Sequence, residues 1–289
     1  MQLEEAYPIE KMDIPPLLQE ISDPPQQLYI RGALPKSDVK YLAIVGSRKY
    51  TPYGKQVCER LVQNLQGYPI VVVSGLALGM DGIAHMAALD VGLTTIAVPG
   101  SGLSDTVLYP ATHRNLAAKI LESGGALISE FEPEFKAQPY SFPQRNRIMA
   151  GMSHAVLVIE AEERSGTLIT SRLATEYNRD VLAVPGPVHS PTTRGPHMLL
   201  KKGAALIESS ADILEALQLS ADAEQPTQRV LPLDLSNDEQ VICKLLRTPM
   251  EREELVQSCP FDVSRVNVLL SSLELKGAIR ERLGLIELV

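Results

Sequence analysis

The stretch Tyr41-Leu-Ala-Ile-Val-Gly-Ser-Arg48 runs from a continuous apolar segment into a glycine, a hydroxyl and an arginine. A short run without polar alternation suits a strand covered on both faces, as in a parallel sheet. The glycine marks its carboxyl end, where open α/β sheets bind ligands. The pattern recurs along the chain. Ile70–Val73, Thr94–Val98, Ala126–Ile128, Ala155–Ile159 and Val181–Val184 read as further strands, with helical stretches between most of them. Alternating strands and helices imply a parallel sheet with right-handed crossovers. The fold class is therefore α/β: an extended, Rossmann-like, doubly wound and mostly parallel sheet.

Outward from this core the chain changes character. Residues 1–39 are Pro-rich and read as an N-terminal arm packed on the main domain, irregular apart from one short helix. Residues 40–219 form the extended Rossmann domain. Residues 220–235 form a linker, small and polar at its start. In residues 236–289, Ser236 and Glu239 form a capping box that opens a helix. Pro249 sits at the first position of a second helix. Asp262 caps a third helix, and Ala278–Arg282 and Leu285–Leu288 read as two short strands. Three helices and a hairpin suggest a small winged-helix domain. Its third helix offers Arg265 and Asn267 for base contacts, against Glu274. Val263, Val266, Leu269, Leu270 and Leu273 form its apolar stripe. Packing or protein contact is therefore favoured there over duplex reading.

Composition excludes some classes of protein. The 289 residues carry 27 Lys and Arg against 35 Asp and Glu, a formal charge of −8. Such a balance ordinarily counts against a nucleic-acid partner. The acidity is uneven, however: residues 40–220 hold as many basic as acidic side chains, and the surplus lies toward the ends. No apolar stretch is long enough to span a bilayer, so no membrane partner is expected. No secretory signal is visible at the N-terminus. Cys58, Cys243 and Cys259 are odd in number and far apart, which points to a reducing cytoplasm.

Four segments could hold an anion. Gly46-Ser47-Arg48 joins the first strand to a helix; its backbone N–H groups and a guanidinium suit phosphate. Ser74-Gly75 begins a second junction of this kind. Phe142-Pro-Gln-Arg145-Asn146-Arg147 sets an aromatic beside two arginines and an amide, in a chain with only four Phe and no Trp. Phe can stack on a base, Arg can contact phosphate and Asn a base edge. Ser165-Gly166-Thr167 supplies hydroxyls and a glycine at a helix start. Each could instead be a turn, a cap or a solvated charge; four together favour a site. Asp81 and His85 share a helix face, with capping and packing the simpler roles. No metal set and no catalytic set emerges, so neither a cofactor nor an enzyme is expected.

These motifs closely resemble the DprA/Smf family of DNA-processing proteins of bacterial natural transformation. The resemblance runs through Tyr41–Arg48, Ser74–Asp81, His85, Phe142–Ile148, Ser165–Thr170 and Ala183–Gly186. The tail resembles the family's optional winged-helix domain. The resemblance implies a homodimer that binds single-stranded DNA in a basic pocket and loads the RecA recombinase onto it. Arg48 and Phe142–Arg147 fall on the pocket motifs, and Gly46, Gly75 and Gly166 would shape it. Leu78 stands where the family usually has a basic residue. Residues 1–39 are too short for the helical domain with which many members begin. The fold also resembles phosphoribohydrolases of the LOG type, so the alternative is a nucleotide-processing enzyme using Glu160 or Asp81.

Overall fold

The computed structural model describes residues 5–9, 13–35, 38–219, 235–246, 250–276, 278–282 and 285–288. The chain divides into two compact units, Met1–Gln225 and Pro226–Val289. The first contains β1 (Tyr7–Ile9), α1 (Pro16–Gln19), β2 (Leu28–Gly32), β3 (Lys40–Val45), α2 (Pro52–Gln63), β4 (Ile70–Ser74), α3 (Met80–Asp90), β5 (Thr95–Ala97), α4 (Arg114–Glu122), β6 (Ala126–Ser129), α5 (Ser141–Met152), β7 (Ala155–Val158), α6 (Thr167–Glu176), β8 (Asp180–Ala183), α7 (Arg194–Lys201), β9 (Ala205–Leu206) and α8 (Ser210–Ala216).

Nine strands form one sheet in the order β1-β2-β6-β5-β4-β3-β7-β8-β9. Strands β3 to β9 are mutually parallel; β2 pairs antiparallel with β6, and β1 with β2. The apolar runs of β3, β4 and β7 feed two cores. Leu42, Ile44 and Val72 pack with α2 and α3 on one face, while Ala43, Val45 and Val73 pack with α1 and α5 on the other. Burial on both faces explains why these strands show no polar alternation. The strand order turns back on itself at β3: β4 lies on one side and β7 on the other. A crevice opens at such a reversal.

The arm departs from the expected irregular segment. Leu28–Gly32 is a full strand of the sheet, and Tyr7–Ile9 extends it. Arg31 concealed this in the sequence, because it reads as a solvated charge. Its guanidinium is instead 5% exposed and donates to Leu103 O at 2.8 Å and to Asp105 at 2.6 Å. Strand β9 also escaped the pattern, since two residues carry no periodicity.

The second unit holds α9 (Asn237–Leu245), β10 (Met250–Glu251), α10 (Arg252–Ser258), α11 (Val263–Leu275), β11 (Ile279–Arg282) and β12 (Leu285–Leu288). Residues 220–234, most of the expected linker, lie outside the described residues, as do 247–249 with the expected helix-opening Pro249. Met250 and Glu251 pair with Ile286 and Leu285 as a strand, so the second helix starts at Arg252. Val263 is 58% exposed and falls outside the core, whereas Val266, Leu269, Leu270 and Leu273 are buried. Arg265 is bonded to Asp238 at 2.7 Å, and Arg252 donates to Asn267 at 3.2 Å. Both candidate base-reading side chains are thus engaged within the unit.

The capping box of α9 also fastens this small core. Glu239 accepts from Ser236 N at 2.7 Å, Ser272 Oγ at 2.7 Å and Lys276 Nζ at 2.9 Å. The Lys276 and Ser272 bonds hold its pKa down at about 2, against an ordinary 4.5. The unfolded chain takes up this proton first, so the stabilisation is complete above pH 4.5 and is lost as pH falls toward 2. Urea titrations followed by the Ile242 and Leu273 methyl NMR signals should show the midpoint falling across that window. Glu239→Gln should flatten the dependence. An equally steep fall in the variant would refute this origin.

Candidate nucleic-acid interface

The β3–α2 turn is built to hold two cations outward. Thr51 caps α2, accepting from Gly54 N at 3.1 Å. Ser47 Oγ donates to Lys49 O at 2.9 Å and accepts from Lys49 N at 3.0 Å. Ser47 is therefore buried in the turn, while Arg48 and Lys49 are exposed. Neither cation forms an ion pair among the described residues. The Arg48 guanidinium lies 5.5 Å from the centroid of the Phe142 ring, within cation–π range. The ring also meets Tyr109 at 5.7 Å and rests on Gly100, where a Cβ would come within 2.6 Å of it.

Beside this pair lies a cleft of about 510 Å³. It is lined by Gly46, Ser47, Arg48, Lys49, Phe142, Arg145, Asn146, Ser165, Gly166 and Thr167, with Asp81 and Glu162 also on its wall. Three separate junctions converge: the turns after β3 and β7 and the start of α5. The joints are specific. Thr167 Oγ1 donates to Gly46 O at 3.1 Å, tying α6 to the β3 turn. Met80 N donates to Ser47 O at 3.1 Å, tying α3 to the same turn.

Three of the sequence-derived site residues stand apart from this cleft. Ser74 Oγ is buried and donates to Ile44 O at 2.6 Å, joining β4 to β3. Gly75 lines a small neighbouring hollow rather than the cleft. Arg147 pairs with Glu130 and donates to Asp23 O at 2.6 Å, so it fastens the N-terminal segment. Arg145 reaches the cleft wall, yet its guanidinium is spent inside the fold. It donates to Gly75 O at 2.5 Å and to Val98 O, and is only 5% exposed. Burial lowers its pKa to about 10, which leaves it charged at neutral pH. Asn146 donates to Gly166 O at 3.5 Å and accepts from Arg145 Nε at 3.2 Å.

Sequence reasoning missed Lys49. Its signal was its place directly after Arg48 in a turn, where a cation faces the same opening.

The two carboxylates of the enzyme alternative are hydrogen-bonded within the fold. Glu160 accepts from Thr51 N at 2.8 Å, Thr51 Oγ1 at 2.7 Å and Thr192 Oγ1 at 2.8 Å, and it does not line the cleft. Asp81 Oδ2 accepts from Gly75 N at 3.1 Å and Ala77 N at 3.4 Å, and burial raises its pKa. His85 is fully buried against Thr95 Oγ1 at 2.7 Å, and burial pushes its pKa down to about 3. Among the described residues no group of three or more His, Cys, Asp or Glu could hold a metal ion, and no helix is long and apolar enough to cross a membrane.

A mostly parallel nine-stranded sheet with a cation-bearing cleft at its strand ends defines a Rossmann-like α/β protein. Residues 5–218 match the family model of DNA recombination-mediator protein A, and residues 218–284 that of the DprA winged helix domain. The chain belongs to the DNA recombination-mediator protein A (DprA) family. It is 45% identical to protein Smf of Escherichia coli over 204 residues, which cover 71% of this chain and 54% of that protein. It is 40% identical to the DNA processing protein DprA of Bacillus subtilis over 213 residues, covering 73% and 71% of the two chains. The crystal structure of Streptococcus pneumoniae DprA matches with TM-score 0.68 and 38% identity, over 74% of this chain and 75% of that one. DNA processing protein A of Helicobacter pylori, whose structure concerns its single-stranded DNA binding mode, matches with TM-score 0.66 and 30% identity, over 75% and 98%.

Proposed function

We propose that the cleft binds single-stranded DNA. On this reading a cytoplasmic homodimer protects incoming DNA and loads the RecA recombinase during natural transformation and homologous recombination. The observation that carries DNA binding is the pairing of Arg48 and Lys49, both outward and without ion-pair partners among the described residues, with the Phe142 ring at the cleft mouth. Cations for phosphate beside an aromatic face for a base are the two parts that single-strand binding needs. The single-stranded DNA binding of the Helicobacter pylori protein supports it. Recombinase loading and dimerisation are supported by family membership. A non-enzymatic role is supported by Glu160, both of whose oxygens hold Thr51 and Thr192, and by Asp81, whose Oδ2 holds the Gly75–Ala77 turn.

Arg48→Ala is expected to weaken binding of single-stranded oligonucleotides of any sequence. The slope of log affinity against log salt should fall by about 0.7 for each phosphate that is no longer neutralised. Fluorescence anisotropy at several salt concentrations measures both. Unchanged affinity and slope in Arg48→Ala/Lys49→Ala would overturn the assignment. Release of free base from nucleoside monophosphates, abolished by Glu160→Gln, would favour the phosphoribohydrolase reading instead.

A further inference from the structure

At about 510 Å³ the cleft is the size of a small-ligand site, within the usual range of roughly 300–1,000 Å³. Single-strand binders with aromatic platforms occupy about 4–16 nucleotides per domain. A strand seated in the cleft must therefore leave it, and the ways out differ in charge. On the α6 side Glu162 lies on the wall and Glu163 follows it. On the side of the β6–α5 connection the chain carries exposed Glu132 and Glu134 with one cation, Lys136, between that pair and α5, while Glu130 is paired with Arg147.

Toward α3 and α4 the acidic side chain on the cleft wall is Asp81, whose Oδ2 is held by Gly75 N and Ala77 N. A small hollow shares Arg48, Ala77, Phe142 and Arg145 with the cleft and adds Leu78, Tyr109 and Pro110. A second cavity of about 360 Å³ follows, lined by Tyr50, Gly79, Met86, His113 and Lys119 among others. The chain itself links the three, because Tyr50 follows Lys49 and Gly79 follows Leu78. No carboxylate lines either hollow. Tyr50, Leu78, Met86 and Tyr109 are 44%, 49%, 53% and 48% exposed. Large apolar side chains left in water together mark an interaction surface. His113 Nδ1 lies 2.8 Å from Leu76 O, which fixes the wall between the hollows. Lys119 is exposed and forms no ion pair among the described residues.

We infer that this run is a second subsite for the same single strand. Bases leaving the cleft stack on Tyr109 and then Tyr50, and a phosphate meets Lys119. Charge complementarity and continuity with the cleft select nucleic acid over a protein segment as the occupant. The inference rests on the cleft being a single-stranded DNA site, and its test separates the two.

Oligothymidylates of about 4 and about 16 nucleotides are titrated against wild type, Tyr50→Ala, Lys119→Ala and Arg48→Ala at several salt concentrations. Thermal melts establish that the variants are folded. For the longer strand, Tyr50→Ala should weaken binding about fivefold or more, the lower end expected when one base stack is removed. Lys119→Ala should reduce its salt slope by about 0.7. Neither should affect the short strand, whereas Arg48→Ala should weaken both. If Tyr50→Ala and Lys119→Ala bind the longer strand like wild type while Arg48→Ala does not, the subsite is wrong and the cleft stands. Equal losses at both lengths would also refute a separate subsite. If Arg48→Ala changes neither length, the cleft reading fails and the subsite with it.

Discussion

Replacing Arg145 with Met is expected to destabilise the main unit by about 3–5 kcal/mol, the usual consequence of leaving a buried charge uncompensated. Two features make Arg145 a structural residue. Its guanidinium bridges Gly75 O and Val98 O, the carbonyls at the ends of β4 and β5. It also sits across Gly75 from Asp81: a Cβ at Gly75 would touch Arg145 Nη1 on one side and Asp81 Oδ2 on the other. Without the arginine, two buried carbonyls lose a donor and Asp81 loses the opposite charge that offsets its desolvation. For a unit of this size the loss corresponds to a melting temperature lower by roughly 6–20 °C. Adding Asp81→Asn should recover part of it, because the amide carries no charge to strand. Arg48→Ala provides the contrast, with weaker DNA binding and an unchanged melt. Arg145→Met melting with wild type would show that the bridge contributes nothing.

The distinction between these arginines marks where the sequence stopped being legible. The turn at Gly46-Ser-Arg48 could be read because a continuous apolar run fixes a central strand, and a central parallel strand delivers its carboxyl end to the crevice. The Phe142–Arg147 segment was legible as a site but not residue by residue. Arg145 and Arg147 lie two apart on α5, so a helix points them in different directions and both cannot face one cleft. The helical period contained that fact; which arginine faced inward depended on β4 and β5, distant in the chain. Strand β2 was hidden for a related reason. Its Arg31 is buried only because the Leu103 carbonyl and Asp105 meet it there, and nothing local announces them. The net charge of −8 says little of the cleft for the opposite reason, since it averages over surfaces that never face it. On the proposed reading, the pair at positions 48 and 49 meets the phosphate.

Gly79→Ala is expected to damage both stability and DNA binding, although residue 79 does not line the cleft. Its φ of +85° with ψ of −128° lies in a region that L residues essentially avoid, costing about 1–3 kcal/mol. A Cβ there would also come within 2.6 Å of Ser47 O and 2.5 Å of Arg48 O. These atoms are backbone, so relief requires moving the β3–α2 turn away from α3. Overpacking of this kind adds about 1–3 kcal/mol. The same movement breaks the Met80 N to Ser47 O bond and shifts Arg48 off the Phe142 ring. Affinity for single strands should fall about as far as in Arg48→Ala. Gly166→Ala makes the opposite prediction. Gly166 has φ −60° and ψ −21°, and a Cβ there meets no protein atom within 4 Å. The fold should accept alanine within about 0.5 kcal/mol, as ordinary surface substitutions do. Gly166 lines the cleft, however, so the methyl group would occupy space reserved for the strand, and oligonucleotide affinity should drop while the melt does not. The two glycines thus differ in the cleft itself: Gly79 acts on it through the β3–α2 turn, whereas Gly166 lines it. Parallel melting and anisotropy titrations read the difference. Binding by Gly79→Ala at wild-type strength would mean that the β3–α2 turn and the start of α3 are not mechanically coupled.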